Sequence, residues 1–423
     1  MLIRSLMVWL MILAATGVFA DFPGSLHTVE YDSPPISYSD ADIGGPVAAL
    51  QTRLANGELK LDYHPRFGYL PAVLKALDVP VSSQLLVFSK TSTHRQMIYT
   101  NVPRAVYFND DVYVGWVPGA ELLEISSVDP RNGAVFHGLD QGNSEFPLLT
   151  RKGKCLECHV GSKTMGVPGH LVRSFHSAEN GWPDDSTGYP RISHNAKFED
   201  RWGGWYITGV MANNPTRANL INPSEVALRK KDPAHRRNLT ELSPFFETDG
   251  YLSPHSDMVA MLVLEHQTHM HNFITRLNYE ARIFQHQYGH IKYMESPIEY
   301  FIKHLLFVDE APLPGPVQGV TSYAADFESR GPKDSRGRSL RQLDLKTRLL
   351  KYPCSYLIYS EAFDSLMPPL KERVYRRLWE VLSGEDKSEE FQELPPGRKR
   401  AILQILIETK KNLPDYWRED AGK

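Results

Sequence analysis

Two cysteines and a histidine stand together in the stretch KGKCLECHVG at residues 152–161, with Cys155 and Cys158 two residues apart and His159 directly after them. Thiolates and imidazoles at such spacing hold metals, exchange disulfides or take up a porphyrin. With three Cys and 16 His in 423 residues, the pattern is expected by chance only about once in a thousand such chains. A structural zinc site needs a second pair of ligands. The one remaining cysteine, Cys354, stands alone near Tyr352, Tyr356 and Leu357, and no histidine pair follows at finger spacing. A redox dithiol would follow a buried strand and open a helix, whereas Gly153 and Gly161 flank this motif. Zinc and dithiol chemistry remain as rivals.

Haem accounts for each residue. Two thiols at this spacing can add across the two vinyl groups of one porphyrin, and the next side chain is then placed under the iron. On this motif the chain resembles the c-type cytochromes. The resemblance implies that Cys155 and Cys158 form thioethers and that His159 is the proximal ligand. No second CxxCH occurs, so one covalently attached haem c is expected. The longer phrases PRAVYFNDDVYVGWV, CLECHVGSKTMGVPGHLVRS, RWGGWYITG, LVLEHQTHMHN and YPCSYLIYSEAFDSL together resemble a family of large exported bacterial proteins described only as cytochrome c domain-containing. That likeness covers most of residues 84–420 and brings no substrate with it.

The elements that must position the motif differ from those of a small class I cytochrome, where it follows an N-terminal helix. Here the runs Gln84–Phe88, Met97–Thr100, Ala105–Phe108, Val112–Val117, Leu122–Val128 and Ala134–His137 are rich in Val, Ile, Tyr and Phe. Asn109-Asp110-Asp111, Pro118-Gly119 and Asp129-Pro130-Arg131-Asn132-Gly133 punctuate them as turns, which predicts a small antiparallel meander. Residues 161–255 are crowded with Gly, Pro, Asn and Asp and read as long functional loops. Apolar residues at three- and four-residue steps then predict a helix over 255–287, and LKERVYRRLWEVL and GRKRAILQILIETKKNL predict two amphipathic helices around an acidic connector, 384–393. The expected fold class is α+β: a β-meander, a loop-rich haem-binding region and a mainly helical C-terminal half. The expected divisions are a signal peptide at 1–20, a β-rich region at 21–150, a haem-binding region at 151–300 and a helical region at 301–423, packed as one unit.

Several side chains compete for the other axial position. His266 falls on the apolar face of the 255–287 helix, between Leu262 and Met270, where a buried imidazole needs a reason. It is the first choice as sixth ligand, with Met165, His170, His176 and Met270 as alternatives. Glu265 and His269, four apart, suit a second metal or an acid/base pair, although the sequence names no third ligand. In RWGGWY the glycines allow close backbone approach, the aromatics could cover a porphyrin edge, and Arg201 is expected to pair with a propionate.

Residues 1–20 carry Arg4, an apolar run from Leu6 to Phe19 and a small residue, Ala20, before Asp21, the layout of a secretory signal. The run is short for a membrane span, so a periplasmic or secreted protein with no span after signal removal is expected. Net charge is −3, or about −4 without Arg4, which gives no nucleic-acid footprint. Eight Lys or Arg against two Asp in residues 329–351 read as a solvated basic surface or a docking face for an acidic redox partner. Cys354 reads as a buried free thiol. Two functions follow: electron transfer with a periplasmic partner protein, or a haem enzyme, peroxidase-like or acting on a small molecule, with an open distal site. A haem-based sensor is a weaker third, since no output domain is visible. The sequence leaves the oligomeric state open.

Overall fold

The structure is a computed structural model and describes residues 28–145 and 147–419; the expected signal segment at 1–20 lies outside them. Among the described residues seven antiparallel strands form one sheet: β1 (Leu85–Val87), β2 (Arg104–Phe108), β3 (Val112–Trp116), β4 (Leu122–Asp129), β5 (Gly133–Asp140), β6 (Leu149–Arg151) and β7 (Trp205–Tyr206). Their spatial order is β6-β5-β4-β3-β2-β1-β7, a meander closed at one edge by the distant β7. The expected turns hold: Asn109 Oδ1 accepts from the amides of Asp111 and Val112, and Asp129 Oδ1 from those of Arg131 and Asn132. Met97–Thr100 is a turn, not a strand, closed by a bridge between Tyr99 and Val102.

Strand alternation divides the sheet between two cores. Leu86, Ala105, Tyr107, Val114, Trp116, Leu123 and Ile125 face a cluster that includes Val47 and Leu50 of helix Gly45–Ala55 and Leu70 and Val73 of helix Leu70–Ala76. Leu85, Val87, Val106, Phe108 and Tyr113 face the larger core, built around one helix, Met258–Tyr288.

That central helix is 31 residues long. Asp257 caps it, with Oδ1 accepting from the amides of Val259 and Ala260, and Gly289 ends it in the left-handed conformation at φ 72°. Every side chain from Met258 to Tyr279 is buried, so the helix is enclosed on all sides instead of presenting one apolar face. The polar row Glu265, His269, Asn272 and Arg276 is therefore inside the protein.

The amphipathic C-terminal helices stand at Pro368–Ser383 and Pro396–Thr409, with helix Glu295–Leu305 between the first of them and the central helix. The basic stretch 329–351 is less solvated than its composition implies. Arg341 is buried over the Phe327 and Tyr356 rings and pairs with Asp110, while Arg338 and Arg348 pair with Asp334 and Glu310. Cys354 is a buried free thiol. Among the described residues no helix is long and apolar enough to cross a membrane.

Candidate functional site

The CxxCH segment is delivered by the sheet edge. β6 pairs with β5, Lys152 N–H extends the ladder to Phe136 O at 2.8 Å, and the chain turns through Gly153–Cys155 into a single helical turn, Leu156–His159. Both thiols are free; Cys155 is half-buried and Cys158 exposed. Arg151 anchors the entry by donating to the carbonyls of Tyr38 and Ser39 at 2.8 and 3.2 Å.

His159 is held from two sides. The amide of Gly169 donates to His159 O at 3.0 Å, and His159 Nδ1 lies 2.9 Å from Gly169 O. A carbonyl only accepts, so Nδ1 carries the proton and Nε2 carries the lone pair. Burial pushes the ring's pKa down to about 4, against the pull of the Gly169 carbonyl, and the imidazole is neutral at ordinary pH. The Phe136 ring lies against it, centroids 4.6 Å apart. Neutral, oriented by a backbone acceptor and free at Nε2, His159 meets the requirements of a haem-iron ligand. The thiols of Cys155 and Cys158, on the two adjoining turns, complete a donor set that fits covalent haem.

The clamp rests in turn on the central helix. Asn272 Oδ1 accepts from His170 N–H at 3.0 Å and its Nδ2 donates to His170 O at 2.7 Å. Gly169 fits only because it has no side chain, since a Cβ there would lie 2.2 Å from Asn272 Oδ1. Asn272 thus reaches His159 through the 169–170 backbone.

Beside this loop lies a cavity of about 260 Å³. Its wall includes Lys163, His170, Arg173, Tyr189, Arg191, Thr268, His269 and Asn272, with three cations and no carboxylate. The volume is just below the usual small-molecule range of roughly 300–1,000 Å³, and Cys155, Cys158 and His159 are not among the lining residues. Of the alternative axial ligands, only His170 lines the cavity; its ring lies against Tyr113, and Nε2 is 2.9 Å from Ser126 Oγ. Met165 and Met270 are buried in the main core, and His176 is half-buried elsewhere in the loop.

Two expected site residues have other partners. His266 is fully buried with both ring nitrogens engaged, Nδ1 with His194 Nδ1 at 2.8 Å and Nε2 with Ser355 Oγ at 2.7 Å. It belongs to a histidine cluster and does not line the cavity. Arg201 is also buried, donating to Glu265 at 2.9 Å and to the carbonyls of His194 and Ala196. Glu265 takes a second bond from Trp202 Nε1 at 2.8 Å, and burial raises its pKa to about 7 while Arg201 and Trp202 oppose the rise. These contacts take Arg201 out of the propionate role. The glycines of RWGGWY do allow close approach, but to protein: a Cβ on Gly203 would meet Phe175 O at 2.3 Å. Sequence reasoning did not single out Gly169, Arg173 or Arg191. An X-Pro-Gly stretch ten residues after His159 was the available signal for the first.

No family model, curated protein or solved structure matches the chain.

Proposed function

We propose that this protein is an exported monohaem c-type cytochrome that transfers single electrons, with Cys155 and Cys158 as thioether attachment points and His159 as proximal ligand. The observation that carries the reading is the His159–Gly169 bond, which fixes the imidazole tautomer with Nε2 available. A haem bound there supplies a ferric–ferrous couple. The chain's own residues do the rest. Gly169 and Asn272 hold the imidazole in one orientation, and Phe136 packs against its ring. Lys163, Arg173 and Arg191, which line the cavity, would supply positive charge for the propionates. The exposed Cys158 leaves the attachment turn accessible to a partner protein. Export to the periplasm is supported by the layout of residues 1–20 and by the attachment chemistry itself, which takes place outside the bacterial cytoplasm.

A second reading, a haem enzyme with an open distal side, is favoured by the His170 and His269 imidazoles lining a cavity beside the loop. Absorption spectra of the matured protein, oxidised and reduced, with and without carbon monoxide, decide between the two. A low-spin spectrum that ignores carbon monoxide supports the carrier; a high-spin haem that binds it rejects the carrier and leaves His170 and His269 as the acid/base groups to change.

A further inference from the structure

Away from the thiols, three elements bring histidines to one buried point. His194 lies in the loop before the turn Phe198–Asp200, His266 on the central helix and His304 on helix Glu295–Leu305, at 3, 0 and 6 % exposure. One ring nitrogen of each lies within 4.8 Å of the others. The rings are packed in place: His194 stacks on His304 at 4.0 Å, and Phe307 covers both His194 and His266 at 4.4 and 4.3 Å.

The cluster has unmet hydrogen-bonding capacity. The 2.8 Å contact between His194 Nδ1 and His266 Nδ1 holds one proton. If His266 supplies it, His194 carries its own proton on Nε2; if His194 supplies it, Nε2 is a bare lone pair. In both cases His194 Nε2 is buried without a partner, and so is His304 Nε2. Buried polar atoms normally find partners, and two such atoms in one cluster point to a ligand.

We infer that His194, His266 and His304 form a binding site for one divalent first-row transition ion of the zinc class. Neutral imidazoles suit zinc, copper, iron and nickel, whereas calcium and magnesium require oxygen ligands. The nearby carboxylate, Glu265, is occupied by Arg201 and Trp202. Zn–N bonds of 2.0–2.1 Å in a tetrahedron separate the nitrogens by about 3.3 Å, and one ring nitrogen of each histidine already lies within 4.8 Å of the others. His266 ligates through Nδ1 and donates Nε2–H to Ser355 Oγ, the outer partner that fixes a ligating histidine. Arg201 holds the His194 carbonyl at 2.9 Å. Three protein ligands leave a fourth position open, and the His269 ring, which also lines the cavity, stands 4.7 Å from that of His304.

The inference does not rest on the haem reading, and its test does not need haem. The purified full chain is stripped with a chelator, titrated with Zn²⁺, and assayed for bound zinc and thermal midpoint, alongside His304→Asn and Ser355→Ala. One zinc per chain with a raised midpoint is expected. His304→Asn, shown folded by circular dichroism, loses more than about 100-fold in affinity, and Ser355→Ala loses about 10–100-fold, the usual cost of an outer partner. If His304→Asn does not fold, His194→Asn takes its place. Wild-type protein that retains no zinc and shows no change in midpoint overturns the inference. So does a folded ligand variant that binds one zinc as tightly as wild type.

Discussion

The CxxCH loop and the three-histidine cluster assemble donors in opposite ways. In the loop all three donors sit within five residues on two adjoining turns at a sheet edge, partly open to solvent, and the His159 ring is oriented by a backbone hydrogen bond. In the cluster the donors come from three elements, His194 and His266 being 72 residues apart, and are oriented by ring packing in the core. A local site survives if the fold loosens, because its spacing is covalent. A dispersed site exists only when the fold does, so an ion bound there contributes directly to stability.

A crossed pair of variants separates the two sites. The Cys155→Ala, Cys158→Ala chain is expected to lose all covalent haem on a denaturing gel stained for haem while still binding zinc. His304→Asn is expected to do the reverse. If either variant loses both, the sites are not independent.

The next effect lies in the support of the cluster. Arg201→Leu leaves Glu265 buried without its cation, which costs about 3–5 kcal/mol in denaturant unfolding. A loss under about 1 kcal/mol would mean that the pair is not desolvated in solution.

A pH effect comes next. His271 is buried, donates from Nε2 to Asp110 O at 2.7 Å, and burial lowers its pKa to about 4. A depressed histidine pKa gives stability that is present above the unfolded value of about 6.5 and is lost as pH falls toward 4, up to about 3 kcal/mol for this group. His271→Gln should flatten that part of the stability–pH curve; an unchanged slope would show that His271 is not buried neutral.

The smallest effect concerns the clamp. Asn272→Ala removes two hydrogen bonds to His170, worth about 2 kcal/mol together, and should broaden the haem spectrum by freeing His159. Stability lost without any spectral change would separate Asn272 from the haem loop.

What could be read from the sequence follows the same division. Five meander strands and the last two long helices were legible because alternation, turn residues and three- to four-residue periodicity are local signals. Leu149–Arg151 and Trp205–Tyr206 were not, because strands of three and two residues carry no period and are defined by their partners. Met97–Thr100 has strand-forming residues but leaves Tyr99 half exposed and finds no neighbouring strand. The central helix was placed to within three residues at its start, yet its polar row was ambiguous because what encloses Glu265 and His269 comes from elsewhere in the chain. His266 was flagged by its apolar neighbours, but its partners His194, His304 and Ser355 lie too far along the chain for spacing to reveal. Arg201 was read as a haem contact because no sequence pattern shows that Glu265 faces it.

Whether a haem is bonded to Cys155 and Cys158 is decided by intact-mass measurement of the denatured chain, matured in a host that attaches c-type haem. The expected result is one haem added per chain, with neither of these thiols open to alkylation. The bare polypeptide mass, with both thiols alkylated, would contradict it.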